Sequence, residues 1–231
     1  MAAYSYAEAR SDGASKLPLS TSEADQPLYA RVMGRTLEVD GIGPMDKITD
    51  YTLVECFRDD PATGRRQILL GMKKRGLGAN KYNGFGGKFD EGETAVECAK
   101  RETEEECGLR PRTMEWRAQL LFTFRDSGRV MRVHVFEASD FDEADLVETE
   151  EMAPRWFDCD RVPFRSMWND DVFWLPLLLD GVRFEAWFDY AVGGETANTV
   201  EEYELNRIVE DAPPPKPAAT RQSLRNAMSP P

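Results

Sequence analysis

The sequence predicts an α/β fold, a mixed β-sheet sandwiched between helices. Three observations point to it. Short apolar runs rich in strand formers lie before and after one strongly patterned helix at 93–107. A glycine-rich stretch, Gly76–Gly87, leads into that helix. A second, short helical segment at 170–180 is followed by another strand pattern, Val182–Trp187. Strands with two helices pack as layers around one core.

In chain order, Tyr51–Phe57 and Gln67–Met72 read as strands, and the intervening Arg58–Arg65 reads as a turn or hairpin loop. In the helix, Val96, Ala99, Thr103 and Cys107 form one apolar face, and Gly108 sits where a helix commonly ends. Strands are expected at 116–124 and 130–138, where Met131, Val133 and Val135 alternate with Arg132, His134 and Phe136. Residues 1–48 show little periodicity and are expected to be disordered or loosely packed. The tail, 209–231, holds six prolines from Pro213 onward and cannot form a packed element. The folded domain is therefore expected at 49–208.

Composition narrows the chemistry. Of 231 residues, 41 % are hydrophobic and 31 % charged, enough for an ordinary core. The net charge of −13 argues against a nucleic-acid polymer as partner, because phosphate neutralisation needs clustered Lys and Arg. No apolar run suits a membrane span, and the N-terminus resembles neither a signal nor a transit peptide. The protein is expected in the cytoplasm, with the nucleus or mitochondrion as additional compartments, and as a monomer. Cys56, Cys98, Cys107 and Cys159 contain no CxxC pair and read as reduced thiols. His134 is the single histidine, which removes His-rich zinc sites and leaves carboxylates to carry the chemistry.

The carboxylates are organised. Glu105 and Glu106 follow Glu102 by three and four positions, so all three share one helix face. Glutamate runs are usually solvated helix faces. Here, however, like charges at this spacing repel unless cations sit among them, and hard oxygen ligands suit Mg²⁺, with Mn²⁺ as a substitute. Arg101 can hold a carboxylate bidentately. Gly84, Gly86 and Gly87 remove side chains where backbone must approach a metal or phosphates.

The full pattern, GKFDEGETAVECAKRETEEECGL over 87–109, is that of a Nudix box, and the chain resembles the Nudix hydrolases. Thr103 departs from the aliphatic residue usual at its position, a matter of packing. The stretches YTLVECF, ILLGMKKRGLGANKYNGFGGK, MRVHVFEAS, EEMAPRWF and MWNDDVFWLPLLL extend the resemblance, over about residues 50–208, to the branch that hydrolyses oxidised purine nucleoside triphosphates. The resemblance implies a Nudix α/β/α sandwich and Mg²⁺-dependent cleavage of 8-oxo-dGTP or 2-hydroxy-dATP to monophosphate and pyrophosphate. It further implies attack by a metal-activated water at the β-phosphorus, with Glu102, Glu105, Glu106, the Gly86 carbonyl and Glu151 around the metal. On residue grounds alone, Glu150 serves as well as Glu151. The alternative is a Nudix hydrolase of a dinucleoside polyphosphate, capped RNA or ADP-ribose.

For the substrate, the resemblance places Thr52, Lys73, Asn83, Met131, Trp168, Asp170 and Asp171 along the nucleotide. Phe85, Gly86, Gly87, Lys88 and Asn169 are expected beside them. Physically, Trp168 can stack on a purine, while Phe122 and Trp174 can close an apolar pocket. Asp170 and Asp171 would serve equally as helix caps. In an apolar pocket two such carboxyls favour one being protonated, so that one donates while the other accepts. Asn83 offers an amide donor and acceptor, although Asn before Gly is commonly a turn. Two departures from the branch concern this pocket. Leu77 replaces a phenylalanine and Asn169 a proline.

Overall fold

The computed structural model describes residues 20–21, 28, 48–125, 127–191 and 199–208. The 1–48 extension and the 209–231 tail lie outside the described residues, apart from Ser20, Thr21, Leu28 and Ile48.

The elements run β1 (Ser20–Thr21), β2 (Ile48–Asp59), β3 (Arg66–Lys73), β4 (Tyr82–Asn83), α1 (Ala95–Cys107), β5 (Thr113–Phe124), β6 (Arg129–Ser139), β7 (Met152–Asp158), α2 (Asp171–Leu179), β8 (Phe184–Tyr190) and β9 (Val200–Arg207). The described strands form a mixed sheet in the order β1-β9-β8-β5-β6-β2-β3-β4, with β7 also paired to β3. β2 runs parallel to β6, and β5 parallel to β8.

Both sheet faces are covered. On β2, Leu53 and Phe57 join the core that includes Trp174, Leu175 and Leu178 of α2. Val54 and Cys56 join the core that includes Ala99 and Cys107 of α1. Two buried faces explain why this strand reads as a nearly continuous apolar run instead of an alternating one.

α1 begins two residues later than 93–107 implies. Thr94 is its N-cap, in a capping box with Glu97, and Gly108 closes it at φ 79°. The buried face is Cys98, Ala99, Thr103, Glu106 and Cys107, whereas Val96 is 44 % exposed. Val96 therefore belongs to the solvent side of the first turn. β7 and β9 carry no strand signal in sequence. MAPRWFD is interrupted by Pro154, and VEEYELNR is charged along its length. All four cysteines are free thiols, three of them buried. Among the described residues, no helix is long and apolar enough to cross a membrane.

Leu28, 2 % exposed, packs with Leu121, Val130 and Trp187, and its N–H donates to Glu185 Oε2 at 3.1 Å. β1 pairs in parallel with the end of β9. Leu28→Ala is expected to cost about 2 kcal/mol or more of unfolding free energy, measured by urea denaturation. A loss below about 0.5 kcal/mol, the size of a surface substitution, would show that Leu28 adds nothing to the core.

Candidate active site

The site lies where β2 and β3 part. The two strands pair only through Cys56–Asp59 and Arg66–Leu69. Farther along, β3 pairs with β4 at Gly71 and Met72, while β2 bonds to the loop entering α1. There Val54 N–H donates to Phe85 O at 2.7 Å, and Thr52 N–H donates to Gly87 O at 2.9 Å.

Glycine is needed in this loop because the approach is close. A Cβ on Gly86 would lie 2.0 Å from Thr52 O, and one on Gly87 would lie 2.4 Å from Glu102 Oε1. The absence of side chains lets the α1 carboxylates rest directly against backbone. Glu106 is buried, and the Gly86 N–H donates to its Oε2 at 2.9 Å. Burial raises the Glu106 carboxyl to about 7 despite Lys73 and that N–H. Burial also raises Glu102, against the pull of Arg101.

Arg101 organises the face. Its Nε and Nη2 donate to the two oxygens of Glu93, each at 2.9 Å, and Nη1 donates to Glu102 at 2.7 Å and Glu105 at 3.2 Å. Its Nη2 also donates to Lys88 O at 3.2 Å. The bidentate partner is thus Glu93, just before the helix, which this contact holds near pKa 2. Arg101→Ala is expected to weaken divalent-metal binding by this face about 10- to 100-fold, measured by calorimetric titration. Wild-type affinity would show that Arg101 does not orient these carboxylates.

Lys73, at the end of β3, reaches across the opening. Its Nζ lies 3.2 Å from Glu106 Oε1 and 2.8 Å from Glu151 Oε1. Burial disfavours this ammonium, but the two carboxylates raise its pKa, and Lys73 in turn lowers that of Glu151. Glu106 and Glu151 therefore accommodate a cation between them. Glu102 and Glu105 share the helix face with Glu106, so the side-chain donors here are oxygens, the kind a hard divalent ion takes, although among the described residues no three such side chains converge closely enough to form a metal cluster.

A cavity of about 400 Å³ adjoins this face. Thr52, Lys73, Asn83, Gly86, Gly87 and Glu151 line it, together with Phe122, Met131, Trp168, Asp170, Asp171 and Trp174. Three expected residues do not line it. Phe85 is fully buried in the core beneath α1, Lys88 contributes its carbonyl to Arg101, and Asn169 is exposed beside the pocket. Leu77 is at the rim, 46 % exposed.

The aspartates sit at the buried end. Asp170 Oδ2 accepts from Trp174 Nε1 at 2.9 Å, and Oδ1 accepts from the Tyr190 hydroxyl. Asp171 Oδ2 accepts from the Trp168 N–H at 2.9 Å. Asp170 makes no capping bond to α2. Burial raises both carboxyls, and Asp171 is pushed well up with Asp170 and Glu55 adding to the effect. The pair therefore holds a proton that two solvated aspartates would release. Lys81 donates to Met167 O at 3.1 Å and lies 5.2 Å from the Trp168 ring centroid, bracing that loop. Tyr190 and Lys81 escape sequence reasoning, since nothing local distinguishes the last tyrosine of a strand or a lysine in a turn.

Known proteins align with this arrangement. A family model described as NUDIX domain matches residues 56–178. A zebrafish (Danio rerio) protein named oxidized purine nucleoside triphosphate hydrolase is 42 % identical over 142 residues, covering 62 % of this chain and 88 % of that protein. The mouse (Mus musculus) protein of the same name is 43 % identical over 158 residues, covering 68 % and 94 %. Among solved structures, the mutator MutT protein from Bacillus halodurans superposes with a TM-score of 0.56 at 22 % identity, over 68 % of this chain and 97 % of that one.

Proposed function

This chain belongs to the Nudix family of hydrolases, and we propose that it hydrolyses oxidised purine nucleoside triphosphates to monophosphate and pyrophosphate. The substrates would be 8-oxo-dGTP and 2-hydroxy-dATP. The observation that carries the reading is one cavity lined at once by the buried aspartate pair and by Lys73, Gly86, Gly87 and Glu151, of which Lys73 and Gly86 contact the α1 carboxylate Glu106.

That geometry supports the following division of labour. The base enters the aromatic half, between Trp168 and Phe122, and meets Asp170 and Asp171 with its polar edge. One aspartate protonated and the other ionised supply a donor and an acceptor, which 8-oxoguanine and 2-hydroxyadenine edges use in different combinations. Asn83 adds an amide to the same edge. The triphosphate then runs past Gly86 and Gly87, where no side chain obstructs it, with Lys73 supplying positive charge. Glu102, Glu105, Glu106, Glu151 and the Gly86 carbonyl would hold Mg²⁺, which screens phosphate charge and lowers the pKa of water. Arg101 keeps Glu102 and Glu105 oriented toward that position.

A substrate panel at fixed Mg²⁺ tests the reading. The kcat/KM for 8-oxo-dGTP is expected to exceed that for dGTP by at least about tenfold. Equal turnover would sink it, and preference for a dinucleoside polyphosphate, capped RNA or ADP-ribose would move the chain to that substrate class. Asp170→Asn is expected to lower kcat/KM for 8-oxo-dGTP by roughly 10- to 100-fold while sparing dGTP. Unchanged discrimination would remove the pair from base recognition. We place the enzyme, as a monomer, with the nucleotide pools of the cytoplasm and of the nucleus or mitochondrion.

A further inference from the structure

Glu55 has no task in the site described so far, yet it stands immediately behind it. The residue is on β2, wholly buried, and among the described residues neither carboxyl oxygen has a hydrogen-bond partner. A Cβ on Gly84 would lie 2.5 Å from Glu55 Oε1, so only glycine leaves room for the carboxyl. Gly84 itself lines the cavity that Asp170 and Asp171 close. The Glu55 carboxyl is thus separated from the base pocket by a single glycine, and its charge is felt at Asp171.

The geometry points to Glu55 as a positioning residue for base recognition, a third buried carboxyl set behind the Gly84 wall of the pocket that Asp170 and Asp171 close, biasing through its charge which protonation state of the pair meets the base. This rests on the base-pocket reading given above. The groups around the trio are few. Tyr190 of β8 and Trp174 donate to Asp170, Lys81 attracts both aspartates from the segment before β4, and Cys56 adjoins Glu55 on β2. Glu137, the register partner on β6, is neutralised by Arg66 and Arg117.

Asp170 has both oxygens committed to donors, which favours its anion. Glu55 has no donor among the described residues, and burial raises its carboxyl to about 8. It therefore keeps its proton at neutral pH. Once it ionises, its negative charge makes Asp171 harder to deprotonate. A leucine would suit the apolar neighbours Leu53 and Phe57 without that burden. Costs of this kind are found where a site needs them.

The test compares wild type, Glu55→Gln and Glu55→Leu. The first readout is the ratio of kcat/KM for 8-oxo-dGTP to that for 2-hydroxy-dATP, followed from pH 6 to 9. The second is the carboxylic-acid infrared band of the ligand-free protein over the same range. Both variants are expected to lose one titrating carboxyl and to shift the remaining aspartate titration, and with it the inflection of the ratio, to lower pH by about half a unit or more. A purely structural role would lower both kcat/KM values together and leave the inflection in place. Folded variants whose aspartate titration matches wild type would overturn the inference. If wild type shows no preference for oxidised purines, the function fails while the infrared titration still decides the role of Glu55.

Discussion

Glu106→Gln is expected to lower kcat/KM by about 10³-fold or more while leaving the fold intact. Glu106 is where three features of the site meet. The Gly86 N–H and the Lys73 ammonium both contact its carboxyl, and it shares the helix face with Glu102 and Glu105. Glutamine keeps the shape and a carbonyl oxygen to accept from Gly86, but it cannot bring negative charge to a cation. The folded state should not suffer. The wild-type carboxyl is raised by burial to about 7 from an ordinary 4.5, so between those two pH values the folded state already holds a neutral group there. Pyrophosphate release and a thermal melt on the same preparation would check both halves. Activity near wild type would remove Glu106 from the metal site.

Glu55→Leu is expected to stabilise the protein, and to do so only as pH rises. The folded-state carboxyl is held at about 8, against 4.5 for an ordinary glutamate. Below pH 4.5 both folded and unfolded chains carry the proton, and the substitution changes only packing. Between 4.5 and 8 the unfolded chain releases the proton while the folded chain retains it, so wild-type stability falls with pH. Each pH unit of that window is worth about 1.4 kcal/mol, for an overall loss on the order of 5 kcal/mol. Leucine removes the loss. For a domain of this size the gain at pH 8, relative to pH 5, corresponds to roughly 10 °C in Tm. Equal melting differences between variant and wild type at both pH values would show that Glu55 is not a buried neutral acid.

These predictions draw on different amounts of sequence. The helix face of Glu102, Glu105 and Glu106 is legible from spacing alone, because a 3.6-residue period brings those positions together whatever surrounds them. Most strands are legible too. β2, β3, β5, β6 and β8 overlap runs of strand formers, each lengthened at its ends by pairing partners that only the sheet supplies. β7 and β9 are not legible, since a pairing edge can recruit a segment whose own pattern is polar or broken by proline. The burial of Arg132 and His134 against Asp50 is likewise invisible in a strand that reads as alternating.

What the sequence determined by itself was local: the carboxylate face, the capping Gly108, the glycines entering α1, and the aspartate pair beside Trp168. Each follows from chain geometry within a few residues. The tertiary structure decided which charges share a space. It set Lys73 between Glu106 and Glu151, clamped Arg101 on Glu93, tied Asp170 to Tyr190 and buried Glu55 behind Gly84. The physical reason is that desolvation and Coulomb interaction depend on distance in space, and only the packing of β2, β3, α1, α2 and β8 sets those distances.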